Sequence, residues 1–125
     1  MIAVDTSSLV EFLRDNTGQD ILLIERALDE KNLILPPIVL SEILSDPKLS
    51  AEIKKTLNNL PSLPLLDGFL ARAGILISHI LSKKRKARLG DALIAQFCID
   101  HNLPLITRDK DFRSFQASSK LKLLL

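Results

Sequence analysis

With one cysteine, Cys98, the chain has no disulfide framework and no C-x-x-C redox or zinc site. That cysteine lies inside the apolar run ALIAQFCI, which assigns it to packing rather than reactivity. There is no G-x-S-x-G nucleophile elbow, no P-loop and no Cys–His pairing that stands out. The only histidines, His79 and His101, fall in an apolar helical stretch and at a helix end, where structural roles fit both. No run reaches the ~18 consecutive apolar residues that a membrane span needs. The amino terminus meets an acid at position 5 before any long apolar run forms, so it does not resemble a secretory leader. A reducing cytoplasm is the expected setting. Internal repeats, low-complexity tracts and linkers are also missing, so residues 1–125 read as a single domain with one sizeable core. Apolar residues at 46% and charged ones at 26% are ordinary for a soluble globular protein.

What the chain does have is short apolar runs separated by helical patterns. Met1 to Val4 predicts a buried first strand ending at Asp5. Ser8 and Glu11 have capping-box spacing, and a helix is expected there. Ile21, Ile24 and Leu28 share one face of a helix over 19–31. Leu33 to Leu35 is a second strand, and Pro36-Pro37 then opens a helix through IVLSEIL. Asp46-Pro47 reads as an N-cap before a helix bearing Leu49, Ile53, Leu57 and Leu60. From Asp67, another cap candidate, a helix spans 68–82; a further one runs over 91–101 and ends at Asn102. Leu103 to Thr107 is a strand, and Leu121, Leu123 and Leu125 alternate with Lys120 and Lys122 as a last strand at an edge. Strands separated by helices predict an α/β fold with a parallel sheet.

Four acids stand where strand-like runs end or helix-like runs begin: Asp5, Glu42, Asp91 and Asp109. In an open parallel α/β sheet, loops at the carboxyl ends of strands converge on one crevice. Each acid alone has a plain explanation: Asp5 and Asp91 as helix caps, Asp109 in an Asp turn, Glu42 on a solvated helix face. Together they would repel one another without a cation between them, and carboxylates suit the hard ions Mg²⁺ and Mn²⁺. Helix amino ends favour nearby carboxylates by only about 0.3–1 kcal/mol each, too little to offset that repulsion. Some of these acids are therefore expected to have raised pKa values when metal-free. Metal-assisted phosphodiester hydrolysis needs no protein nucleophile, which matches the missing motifs. Residues 83 to 88, KKRKAR, put five positive charges in six positions with no acid among them. The run is either a solvated loop or a phosphate-contacting patch; ending three residues before Asp91, it favours the patch.

The opening IAVDTSSLVEFL, the SEIL segment and the block GDALIAQFCIDHNLPLITRDKDF resemble PIN-domain proteins, most closely the VapC-type ribonuclease toxins of prokaryotic toxin–antitoxin pairs. The resemblance covers nearly the whole chain, with residues 45 to 85 similar only in helical character. It implies a three-layer α/β/α fold with a central parallel sheet, cleavage of RNA dependent on Mg²⁺ or Mn²⁺, a homodimer, and a small cognate antitoxin that blocks the active site. Carried over, the family's acids fall on Asp5, Glu42, Asp91 and Asp109. Asp111 is a fifth acid that either joins them or forms a salt bridge or cap. Thr6, Ser7 and Thr107 are candidates to support the carboxylates.

Two other classes compete with this reading. A receiver-like phosphoacceptor also uses acids at strand ends with Mg²⁺, but it wants adjacent acids at the first strand and an acceptor Asp at a middle one. Here the first strand offers one acid and the middle one ends LILPP. A catalytically silent RNA- or protein-binding module is the other alternative, and the intact acidic set argues against it.

Overall fold

Ile2–Val4 (β1), Leu33–Ile34 (β2) and Leu105–Ile106 (β3) form an all-parallel sheet in the order β2-β1-β3 in the computed structural model, which describes residues 1–124. Ile2 pairs with Leu33 and Ala3 with Ile34 on one side, and Ala3 pairs with Leu105 and Val4 with Ile106 on the other. Parallel strands covered on both faces read as continuous apolar runs, and Ala3, Val4, Leu105 and Ile106 are fully buried. Leu123 adds a parallel bridge to Leu105, fixed by the Leu105 N–H donating to Lys122 O and the Leu124 N–H to Leu105 O, both at 2.9 Å. The expected last strand is thus a single bridge at the β3 edge; Leu125, expected to close it, lies outside the described residues.

Helices Thr6–Leu13 (α1) and Gln19–Asp29 (α2) link β1 to β2. The crossover from β2 to β3 uses Pro37–Leu44 (α3), Ala51–Asn58 (α4), Phe69–Ser82 (α5) and Leu89–Asp100 (α6), and Phe112–Ser118 (α7) follows β3. The result is the three-layer α/β/α arrangement. The chain leaves β1 toward β2 on one side and returns to β3 on the other, so the strand order reverses at β1. In such sheets the point where strand order reverses, outside the carboxyl ends of the strands, is where ligands bind, and here it lies at the ends of β1 and β3. One apolar core runs through the whole arrangement, from Leu9 and Ile24 to Ile80, Phe97 and Phe112.

Several helix starts differ from their sequence signals. α1 begins at Thr6, with Asp5 in an extended conformation before it; Ser8 is fully buried within the helix and caps nothing. α4 is capped by Ser50, whose hydroxyl accepts the Ile53 N–H at 3.2 Å. Asp46 instead accepts the Lys48 N–H at 2.9 Å, closing a local turn that keeps Pro47 outside the helix. α5 starts after Gly68, at φ 82°, and Asp67 gives its backbone carbonyl to Arg72 Nη1 at 2.6 Å. Asn102 has φ 52°, as expected at the end of α6. α7, unmarked by any cap, had no sequence signal of its own. Among the described residues no helix is long and apolar enough to cross a membrane.

Candidate functional site

Asp5 follows β1, and its N–H donates to Ile106 O at 2.9 Å, so the ends of β1 and β3 are tied together here. Its side chain is only 3% exposed. Carboxylate Oδ2 accepts the Ser7 hydroxyl at 2.6 Å and the Thr107 hydroxyl at 2.8 Å. Burial raises the Asp5 pKa above its ordinary value, and these two hydroxyl donors pull it partly back. Thr107, the residue after β3, also accepts the Asp109 N–H at its Oγ1 (3.0 Å), and Asp109 Oδ1 accepts the Asp111 N–H at 2.9 Å. This relay of side-chain-to-backbone bonds winds the β3–α7 loop into a compact turn that presents two carboxylates.

Asp91 is the third residue of α6, in the first turn, where the helix dipole favours an acid. One carboxylate oxygen each from Asp91, Asp109 and Asp111 lies within 4.8 Å of the other two. All three are half-buried. The Asp91 carboxyl is pushed up to about 6, first by burial and then by the negative charges of Asp109, Asp5 and Asp111, with Arg88 pulling the other way. The expected electrostatic problem is therefore present, concentrated on one residue.

Glu42 is not one of this trio. It is exposed, and its Oε1 accepts the Thr6 hydroxyl at 2.7 Å, which links it to the residue beside Asp5. Asp111, a fifth acid by sequence, is the third of the converging carboxylates. The basic run forms the exposed loop before α6, with Lys84 in the left-handed region at φ 59°. Lys86 Nζ reaches Asp111 Oδ2 at 3.5 Å, so the run adjoins the acids in space as well as in sequence.

Sequence reasoning missed an ion pair at the acidic loop. Arg108, between Thr107 and Asp109, forms a two-pronged ion pair with the buried Asp20 of α2, Nε to Oδ2 at 2.7 Å and Nη2 to Oδ1 at 2.9 Å. The partners are 88 positions apart and carry no local motif; the only trace is a Gly18 just before an acid in a helix's first turn. Cys98 and His101 behave as expected. The Cys98 thiol is buried and pushed far above its usual range by that burial; the His101 ring packs tilted against Phe97, centroids 4.8 Å apart, and its Nε2 bonds Pro64 O at 2.8 Å.

A model of the PIN domain family matches residues 2–117. Among solved structures, the chain is similar to FitAcB from Neisseria gonorrhoeae, with TM-score 0.74 and 21% identity, covering 100% of this chain and 97% of that one. It is also similar to VapBC-5 from Mycobacterium tuberculosis, a member of the VapBC family of toxin-antitoxin systems, with TM-score 0.67 and 21% identity over 98% of this chain and 95% of that one. At that identity the likeness shows a shared fold. No curated protein matches the chain.

Proposed function

Because the chain belongs to the PIN-domain family, we propose that it is a divalent-metal-dependent endoribonuclease, the toxin of a toxin–antitoxin pair. The observation that carries this reading is the convergence of Asp91, Asp109 and Asp111 to within 4.8 Å, with Asp5 near enough to add to the charge on Asp91. The donors are all carboxylate oxygens, which suit Mg²⁺ or Mn²⁺ rather than a soft metal. Three carboxylate oxygens gathered within 4.8 Å of one another can converge on one such ion. Asp5, Asp91 and Asp109 are the proposed ligands, with Asp111 as the fourth. Glu42, hydrogen-bonded to Thr6 beside Asp5, is the further proposed ligand.

A bound Mg²⁺ or Mn²⁺ supplies polarisation of the phosphodiester and a water of lowered pKa. The protein's own groups do the rest. Ser7 and Thr107 fix the orientation of Asp5, and the Thr107–Asp109–Asp111 relay fixes the other two. The exposed cations of 83–88, among them Lys86, meet the RNA backbone beside the acids. The proposed antitoxin finds a groove of about 710 Å³ near the end of α1 and the start of α2, where Phe12, Leu13 and the exposed Leu22 lie beside Asp15 and Glu25. Those residues suit a segment carrying apolar and basic side chains. A second copy, giving the proposed homodimer, finds exposed Leu70, Ile75 and Leu81 on α5.

The test is incubation of purified protein with total RNA, in Mg²⁺ or in chelator, followed by sequencing of new ends. Cuts should depend on the metal. Asp91→Asn and Asp5→Asn should abolish them with the circular dichroism spectrum unchanged, and Glu42→Gln should only slow them. Cleavage by both Asn variants at the wild-type rate would refute the mechanism. A protein that binds no Mn²⁺ and cuts nothing is the silent binding module.

A further inference from the structure

Arg108 is the one residue of the 107–111 loop whose side chain reaches α2. Its guanidinium grips both oxygens of Asp20, donates to Thr17 O at 3.4 Å, and lies 3.8 Å from Glu11 Oε2. Asp20 is 3% exposed and holds its charge: hydrogen bonds from Arg108 keep its carboxyl below the usual range despite burial. The backbone is shaped to admit the pair. Gly18 has φ 151°, and a Cβ there would stand 2.6 Å from Asp20 Oδ1 and 3.2 Å from Arg108 Nη2.

We propose that Arg108 and Asp20 are positioning residues for the carboxylate centre, clamping the loop so that Asp109 and Asp111 stay within reach of Asp91. This rests on the reading of those acids as a metal site. Three observations carry it. β3 is only two residues long, so the ladder holds the loop at its start alone. Beyond it, the Thr107 hydroxyl bonds Asp5 and the Asp109 N–H, and Asp109 accepts the Asp111 N–H, whereas Arg108 supplies a bidentate ion pair between two charged groups, one of them buried, the strongest and most directional of the set. Lastly, Arg108 sits next to Asp109 in the chain, and Asp20 engages its charge away from the acids. Without Asp20, the freed guanidinium is a competitor for the carboxylates that the cation needs.

The experiment is Mn²⁺ calorimetry alongside thermal unfolding, on wild type, Asp20→Asn, Arg108→Lys and Gly18→Ala. A second ion pair, Arg72 to Asp100, provides the control: Nη2 meets Oδ2 at 2.6 Å, and the Asp100 side chain is 8% exposed. Asp100 ends α6, nine residues from Asp91, about 13 Å along the helix. Asp100→Asn therefore loses a similar pair without touching the loop. Asp20→Asn, Arg108→Lys and Gly18→Ala should weaken Mn²⁺ binding about tenfold or more, as losing a partner that orients a metal ligand does. Asp100→Asn should lower the melting temperature and leave Mn²⁺ affinity unchanged. Arg108→Lys keeps the charge and loses the fork, so it decides the question if Asp20→Asn fails to fold. Unchanged affinity in Arg108→Lys, or equal weakening in Asp100→Asn, overturns the clamp while the metal site stands. Wild-type protein that takes up no Mn²⁺ overturns both.

Discussion

Asp91 has burial and three neighbouring carboxylates opposing its ionisation, and Arg88 alone among charged groups favouring it. Its carboxyl titrates at about 6, above the ordinary value of 3.8. The sign of the stability effect follows. Between pH 4 and 6 the folded state holds a proton that the unfolded chain has released, so metal-free stability falls as pH rises through that window. Above 6 the folded state carries the full cost of the charge. Asp91→Asn removes it. In chelator the variant should exceed wild type by on the order of 1–2 kcal/mol at pH 7, after allowance for solvent screening, with the gain vanishing near pH 4. Urea unfolding at pH 4, 5.5 and 7 measures this. A gain independent of pH would mean that side-chain packing, not charge crowding, is what the substitution relieves. In wild type, Mn²⁺ affinity should climb from pH 5 to 7 as the proton stops competing.

At the scale of elements, the site is made by three chain ends meeting: the end of β1, the end of β3 and the start of α6. Each was legible because an apolar run stops at an acid, as in IAVD and LITRD, or because an acid opens an apolar helix, as in GDALIAQ. The parallel sheet and its layers followed from the same alternation of strands and helices. Cap positions were less legible, since several Ser and Asp residues compete for each helix start and tertiary packing selects among them. Ser8 had the right spacing but points into the core; Asp46 closed its own turn, leaving α4 to Ser50. Ser50→Ala should therefore destabilise the protein by about 1 kcal/mol, read by chemical denaturation. An unchanged midpoint would show that α4 is held by Leu57 and Ile53 alone. α7 escaped because it spans seven residues, with Phe112 and Phe115 its only apolar anchors. Both rings are buried, their centroids 5.9 Å apart, and they hold the far end of the acidic loop. The Arg108–Asp20 pair depends on where α2 sits relative to β3, and no local pattern encodes that.

Over the whole molecule, charge is segregated rather than scarce. The net charge is +2, from 17 basic and 15 acidic residues, yet five of the basic ones lie in the exposed run 83–88. Outside that run acids outnumber bases, so long-range attraction for a polyanion comes from this loop and not from the molecule at large. Lys86 is engaged with Asp111 and Arg88 acts on Asp91, which leaves Lys83, Lys84 and Arg85 as cations that can meet phosphates without altering the acids. Replacing these three with Gln tests the arrangement cleanly. Each phosphate deprived of its cation should lower the slope of log affinity against log salt by about 0.7 for single-stranded RNA, so the triple variant should lose about 2. Binding to unstructured RNA by fluorescence anisotropy across a salt series, in Asp91→Asn background to prevent cutting, gives the slope. With Asp91 intact, the triple variant should keep the wild-type Mn²⁺ affinity, because none of the three touches a carboxylate of the centre. If the slope is unchanged, the RNA follows another path to the acids, and the basic run is a solvated loop.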